Sequence, residues 1–155
     1  DISRYSEAEQ KAFYINLYNA SMLQAVFKAY PIKSVKSIGL IPFSIFKKDF
    51  FDPRIHFAVN CASESCPPLL DEPFTADKLE SQLEQRTRAF AISARAARVV
   101  LGKGRVEYSE LFKWYHDDFE GDNPAEYLNR YRDMPLPLDL KVDWMSYDWS
   151  LNTAE

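Results

Sequence analysis

Hydrophobic positions repeat most regularly near the start of the chain. Between Ser6 and Tyr30 apolar residues recur every three or four positions, which is the period of an α-helix with one face in the core. Ser6 and Glu9 have the spacing of a capping box, and Pro31 closes the segment. The pattern predicts a long first helix, with a core-facing stripe formed by Ala12, Asn16, Asn19, Leu23, Val26, Phe27 and Tyr30.

Two asparagines, Asn16 and Asn19, interrupt this apolar stripe. Burying an amide without hydrogen-bond partners costs about 1–3 kcal/mol, so both side chains need partners. Two interpretations follow. Either the amides face a polar binding site, or they bond to neighbouring backbone and hold a loop in place.

Shorter patterns predict the elements that come next. The apolar pieces Val35–Ile38 and Leu40–Phe46 are interrupted by Gly and Pro, which favours irregular or edge structure. Ile55–Asn60 predicts a central strand. Phe74–Ala94 predicts a second helix, with Thr75 as its N-cap and with Leu79, Leu83 and Phe90 facing inward.

The second half of the chain predicts a hairpin, two helices and a last strand. Val99–Leu101 and Arg105–Tyr108 flank a Gly-Lys-Gly turn, which is a hairpin signal. Asn123–Glu126 is a typical helix start, and Lys141–Trp149 predicts the final strand. Between hairpin and helix start, Ser109 is predicted to cap a helix that carries Leu111, Phe112, Tyr115 and Phe119.

These elements predict one domain over residues 1–155. The composition is 46% hydrophobic and 15% aromatic, which is ample for a core, and the chain shows no repeat, low-complexity tract or flexible linker. We therefore expect a compact α+β fold, in which about four helices flank a small antiparallel or mixed sheet.

Charge and hydropathy narrow the classes of function. The net charge is −4 with both signs interspersed, so neither a nucleic-acid surface nor a polybasic membrane patch is indicated. No run approaches the roughly 20 apolar residues of a transmembrane segment. The chain begins at Asp1 with neither methionine nor signal peptide, so we expect a processed or trimmed form. The expected partner is a small molecule or a protein, and we expect no cofactor.

The segment from Arg54 to Pro67 contains both cysteines and one of the two histidines. On an extended strand His56 and Cys61 would point to opposite faces, roughly 16 Å apart. Direct contact between a cysteine nucleophile and the imidazole base therefore requires a sharp turn after Asn60.

Three other interpretations of this segment are a disulfide, a zinc site and a redox-active pair. A turn over Ala62–Ser65 would bring the cysteine Cα atoms to about 5.5 Å, which suits a disulfide that pins the loop. A zinc site would use His56, Cys61, Cys66 and His116, but no Cys-x2-Cys pair is present. A redox-active pair would more usually show Cys-x-x-Cys at a helix start.

His116 and Asp148 are further candidates outside that segment. His116 precedes two aspartates on a predicted helix, where a solvated charged face or a general base are the alternatives. Asp148 lies between Tyr147 and Trp149, and it can orient a histidine, as in a catalytic triad, or anchor the chain end by hydrogen bonds.

Ordered motifs resemble the family called domain of unknown function 547. They are Ala12–Ala20, Arg54–Pro67, Phe112–Tyr115 with the following Asp118-Phe119, and Tyr147–Asn152. The sequence departs from the family's pattern at Phe43–Phe50, where an acidic and basic segment is expected. The resemblance implies no established activity. Because bacterial members are often exported, it implies a periplasmic or secreted protein, with a cytoplasmic location still open.

Two functions remain in play after the resemblance is included. One is a non-catalytic cell-envelope module, in which a Cys61–Cys66 disulfide fixes a loop that binds a partner or ligand. The other is a thiol-dependent hydrolase or acyltransferase using Cys61 or Cys66 with His56. The candidate catalytic residues are His56, Asn60, Cys61 and Cys66, and the candidate binding residues are Asn16, Asn19, Arg54, Ser63 and Asp148.

Overall fold

A computed structural model describes residues 2–39, 52–119 and 121–153. The chain divides into two compact units, Asp1–Arg86 with Asp148–Glu155, and Thr87–Tyr147. The described residues contain four α-helices, several 3₁₀ turns and one three-stranded mixed sheet, which confirms the predicted α+β class. That the whole chain folds as one domain stays a prediction.

The first unit begins with helix α1, Glu7–Ala29. The predicted capping box is confirmed: the Glu9 N–H donates to the Ser6 hydroxyl at 3.3 Å, and the Ser6 N–H donates to the Glu9 carboxylate at 2.8 Å. These bonds satisfy backbone donors that the first helical turn leaves without partners inside the helix. The start of α1 was thus predicted correctly from Ser6 and Glu9.

The face of α1 that packs into the core differs from the predicted one. The buried residues of the helix are Ala12, Ile15, Tyr18, Asn19 and Met22. Phe27 and Tyr30 of the predicted stripe are 84% and 65% exposed, and Leu23 is also exposed. The prediction failed because α1 carries apolar residues on two adjoining faces, and periodicity alone does not say which of them meets the core.

The predicted central strand at Ile55–Asn60 is wrong, because Pro53–Phe57 forms a 3₁₀ helix. Pro53 occupies the first turn, and the Asp52 carboxylate accepts the Arg54 N–H at 2.9 Å as an N-cap. Ile55 and Phe57 are fully buried. The apolar pattern therefore reported burial correctly, whereas the Asp-Pro start decided the backbone conformation.

Two other segments complete the first unit. Val35–Ile38, predicted as irregular or edge structure, is a 3₁₀ helix. The predicted piece Leu40–Phe46 lies outside the described residues. Helix α2, Leu79–Ala91, begins five residues later than predicted, after a turn at positions 76–78. The core of this unit brings together residues of α1, the 53–66 segment and α2: Ile15, Tyr18, Met22, Ile55, Cys61, Cys66, Phe74, Leu79 and Leu83.

The second unit contains the sheet, in the order β1-β2-β3. Strands β1, Ala97–Val100, and β2, Arg105–Tyr108, form the predicted antiparallel hairpin. Strand β3, Lys141–Trp144, pairs in parallel with β2 and ends five residues before the predicted end. Gly104 closes the hairpin at φ 58°, a left-handed conformation that glycine adopts without strain.

Short helices follow the hairpin. Helix α3, Leu111–Trp114, is much shorter than the helix predicted from Ser109, although the Ser109 hydroxyl accepts the Leu111 N–H at 3.4 Å. Helix α4, Pro124–Leu128, begins at the predicted position, where the Asn123 side chain accepts the Ala125 N–H at 3.0 Å. Throughout the described ranges, the helices are too short or too polar to cross a membrane.

Candidate functional site

The candidate site lies in the first unit and starts at the 3₁₀ helix that carries His56. Arg54 is held there by the Asp52 carboxylate, with its Nη2 at 2.6 Å from Asp52 and 2.8 Å from Glu80. Burial tends to raise the pKa of Asp52, but the hydrogen bonds and charge of Arg54 outweigh it and hold that pKa below its usual value. Arg54 is thus ion-paired with two carboxylates. His56 is 3% exposed and lies inside the fold.

A sharp reversal of the chain follows Asn60. Ala62 adopts φ 62°, in the left-handed region, and the Cys66 N–H donates to the Ser63 carbonyl at 3.1 Å. The Asn60 amide spans this turn: its Oδ1 accepts the Ala62 N–H at 2.6 Å, and its Nδ2 donates to the Pro67 carbonyl at 2.6 Å. One buried side chain therefore fixes both ends of the turn. We call residues 60–67 the cysteine loop.

The two cysteines face each other across this loop. The Cys61 N–H donates to the Cys66 sulfur at 3.0 Å, and the Cys66 thiol lies 3.9 Å from the Val59 carbonyl. The Cys61 sulfur is 3.0 Å from the Ser63 hydroxyl. The sulfur atoms are adjacent but are not joined in a disulfide. Cys61 and Cys66 are 8% and 5% exposed, and Ser63 is fully buried.

Asn19 and Asn16 both bond to backbone, which is the second of the two interpretations drawn from the sequence. Asn19 donates to the Ala58 carbonyl at 3.0 Å and accepts the Asn60 N–H at 2.9 Å. Asn16 makes the same pair of bonds with the N–H and carbonyl of Phe74, at 2.9 and 2.8 Å. Helix α1 therefore supports the cysteine loop through Asn19 and a separate loop through Asn16.

Residues 148–152 also support the cysteine loop. The Glu64 N–H donates to the Ser150 carbonyl at 2.9 Å, and the Asn152 N–H donates to the Ala62 carbonyl at 2.9 Å. The Asp148 carboxylate accepts from the N–H and hydroxyl of Ser150, at 2.9 and 2.6 Å, and these bonds lower its pKa. Asp148 therefore shapes the turn that docks on the loop, as expected of an anchor.

A family comparison bears on this loop directly. A model of the family described as "Protein of unknown function, DUF547" matches residues 42–91. The predicted resemblance is confirmed over these residues. The match includes the whole cysteine loop, whereas the three other motifs that carry the resemblance lie outside it. No curated protein and no solved structure gives a significant match to the chain.

The DUF547 match also includes Phe43–Phe50, the segment predicted to depart from the family pattern. That segment lies outside the described residues.

His116, which belongs to the second unit, is exposed, and its Nε2 lies 3.1 Å from the Asp117 carboxylate. Within the described ranges, no three His, Cys, Asp or Glu side chains are arranged to hold a metal ion.

The roles of three residues that shape the site were not predicted from the sequence. Asp52 was detectable, because Asp-Pro is a common helix start. Ala62 carries no signal, since alanine rarely adopts a positive φ. Ser65, whose hydroxyl accepts the Asp148 N–H at 2.8 Å, has its partner 83 positions away, beyond the reach of any local pattern.

Proposed function

We propose that the chain is a non-catalytic binding module of the cell envelope, in which the cysteine loop is a rigid structural support. One observation carries this proposal. The side chains of Asn60 and Asn19 are buried and bonded to backbone, and the Cys61 N–H is bonded to the Cys66 sulfur inside the fold. A nucleophile, by contrast, needs a face open to substrate.

We further propose that Cys61 and Cys66 form a disulfide under oxidising conditions. Their adjacency across a hydrogen-bonded turn supports this step. Each thiol loses a proton and one electron, the S–S bond forms, and a partner disulfide or thiol oxidase accepts the electrons. A loop this short gains little from chain entropy, so the bond would mainly fix the turn. Export, which the family resemblance implies, would supply the oxidising compartment.

Intact mass tests the disulfide. Protein isolated from the periplasm without reductant, with thiols blocked at lysis, should show a two-hydrogen deficit that reduction reverses. The same chain made in the cytosol should lack the deficit. A periplasmic protein with both thiols blocked would contradict the proposed bond. Cys61→Ser provides the control, because it cannot form the bond.

The thiol enzyme is the second candidate, and one contact favours it. The Cys61 N–H points at the Cys66 sulfur, and backbone N–H donors stabilise negative charge on an attacking atom. If Cys66 were a nucleophile, an activated acyl ester would release about one equivalent of its leaving group per protein in a rapid burst. Cys66→Ser would abolish this burst. We expect no burst from the reduced protein, and a burst lost in that variant would overturn the binding-module proposal.

A further inference from the structure

The second unit contains a cavity of about 320 Å³, within the range of roughly 300–1,000 Å³ that is usual for small-molecule sites. Its apolar lining includes Phe112, Phe119 and Trp144. The two phenylalanines are buried and lie 4.7 Å apart between ring centroids. Trp144 is half-buried, so its ring is the aromatic surface of the cavity that a ligand can reach.

The position of the Trp144 ring is fixed by its strand and by a neighbouring ring. It lies on β3, opposite Tyr108 of β2 in the parallel register, and the two rings are 6.4 Å apart. Tyr108 is fully buried. A ring fixed on a strand and backed by a buried ring is a rigid platform for stacking, which limits the entropy lost on binding.

The cavity's polar residues are Lys113, His116 and Asp122. Across the ranges that the structure describes, no residue bonds to the Lys113 ammonium, the Asp122 carboxylate or the Trp144 indole N–H. The His116 imidazole pairs with Asp117 through one nitrogen. The cavity lining therefore offers N–H donors and a carboxylate acceptor together with an aromatic side chain.

We infer that this cavity binds a neutral saccharide, with one pyranose ring stacked on Trp144. Because Lys113 and Asp122 have opposite charges, a simple anion or cation gains little net attraction there. A sugar hydroxyl both donates and accepts, so a single ring can satisfy the ammonium and the carboxylate at once. Its axial C–H face supplies the apolar side that packs on the indole. The inference rests on the proposed binding function and names the class of its ligand.

Saturation-transfer NMR on the whole chain tests the inference, with methyl glucoside, methyl galactoside and methyl N-acetylglucosaminide as probes. At least one of them should receive saturation, strongest at the ring protons of its apolar face. Trp144→Leu should raise the dissociation constant by about tenfold or more, since it removes the stacking surface. Asp122→Asn changes an exposed residue and should preserve folding. It should raise the dissociation constant by about threefold to tenfold.

Trp114→Leu is the matched control. Trp114 is also partly exposed, but its ring packs against Tyr147 with a centroid distance of 4.8 Å and does not line the cavity, so binding should stay within about twofold. Three results would overturn the inference: no transfer to any of the glycosides, transfer equal in Asp122→Asn and the control, or displacement of the glycoside by free phenylalanine acting as a zwitterion. Cys66→Ser should bind as the parent does, so failure here and failure of the module proposal are distinguishable.

Discussion

The cysteine loop and the Trp144 cavity use polar groups in opposite ways. At the loop, the amides of Asn60 and of Asn19 on α1 are buried, and each makes two hydrogen bonds of 3.0 Å or less with backbone groups of other residues. In the cavity, Lys113 and Asp122 are exposed and are bonded to no other described residue. A buried polar group costs free energy unless it is satisfied, whereas an exposed one is satisfied by water and can exchange that water for a ligand.

This difference changes how the richest sequence motif is interpreted. Asparagine, serine and cysteine concentrated on one loop suggest chemistry, but the same residues also build tight turns. Here the Asn60 amide and the Cys61 N–H are buried and bonded inside the fold. A site is better identified by polar groups that the fold leaves unsatisfied than by polar groups that it contains.

The largest expected effect on the support of the loop is that of Asn19→Ala on α1. The substitution leaves the Ala58 carbonyl and the Asn60 N–H buried without a partner, so the free energy of unfolding should fall by about 2–4 kcal/mol. Urea denaturation measures it. Gln24→Ala, at an exposed position of the same helix, should change stability by less than about 0.5 kcal/mol. Equal stability of the two variants would mean that α1 does not support the loop.

Ala62 tests the backbone of the turn. A β-branched side chain is disfavoured at φ 62°, so Ala62→Val should lower the free energy of unfolding by about 2 kcal/mol. Ala62→Gly should raise it by about 1 kcal/mol, because glycine adopts this conformation without strain. Thermal and urea unfolding of the pair provide the measurement. The reverse order would show that the turn lacks its positive φ.

Asp52→Asn separates the charge of the N-cap from its hydrogen bond. The pKa of Asp52 is lowered in the folded state, so the carboxylate stabilises the fold above its unfolded pKa of about 3.9, and this contribution is lost as pH falls through the folded pKa. At pH 7 the variant should be less stable by about 1 kcal/mol after allowance for solvent screening.

The difference should shrink as the pH falls below about 4, where the wild-type carboxylate also becomes neutral. Glu84→Gln, which removes an exposed carboxylate from α2, is the control for net charge. A stability difference for Asp52→Asn that is independent of pH would exclude the charge of Asp52 as its source.

The smallest expected effect is that of Tyr108→Phe, beside the cavity. The Tyr108 hydroxyl is buried without a hydrogen-bond partner among the described residues, so its removal should leave stability unchanged or raise it by up to about 1 kcal/mol. The ring that backs Trp144 is retained. We therefore expect the variant to bind the same glycoside with an unchanged dissociation constant, which the saturation-transfer experiment would measure.

The stability of the fold at alkaline pH provides a second test of Tyr108. Burial raises the pKa of Tyr108 to about 12, against the opposing charge of Arg132. Stability that depends on the neutral phenol is present below the unfolded pKa of about 10 and is lost as pH rises towards the folded value. Tyr108→Phe should therefore lose less stability between pH 9 and pH 11 than the parent, and a parallel loss in both would contradict a buried phenol.

Local signals predicted the elements whose causes are local. The Ser6 capping box, the hairpin around Gly104 and the Asn123 N-cap depend on residues within a few positions of one another, and all three were confirmed. At Pro53–Phe57 two local signals conflicted, and the helix start prevailed over the apolar alternation.

The support of the loop could not be predicted in this way. Asn19 reaches Asn60 across 41 positions, and Asn16 reaches Phe74 across 58, so their partners depend on tertiary packing. The cavity is also a tertiary feature, since β3 brings Trp144 beside residues of α3 from about thirty positions earlier. The sequence identified His116 and Phe112, but nothing local joins them to Trp144.

The most direct test of the central claim, that the cysteine loop is a structural support, is the rate at which iodoacetamide alkylates Cys61 and Cys66 in the reduced native protein, followed by peptide mass spectrometry. Both thiols should react far more slowly than in the urea-unfolded chain, and Asn19→Ala should accelerate both in proportion to its loss of stability. Rapid alkylation of either cysteine in the native protein, at a rate equal to or above that of the unfolded chain, would contradict the claim.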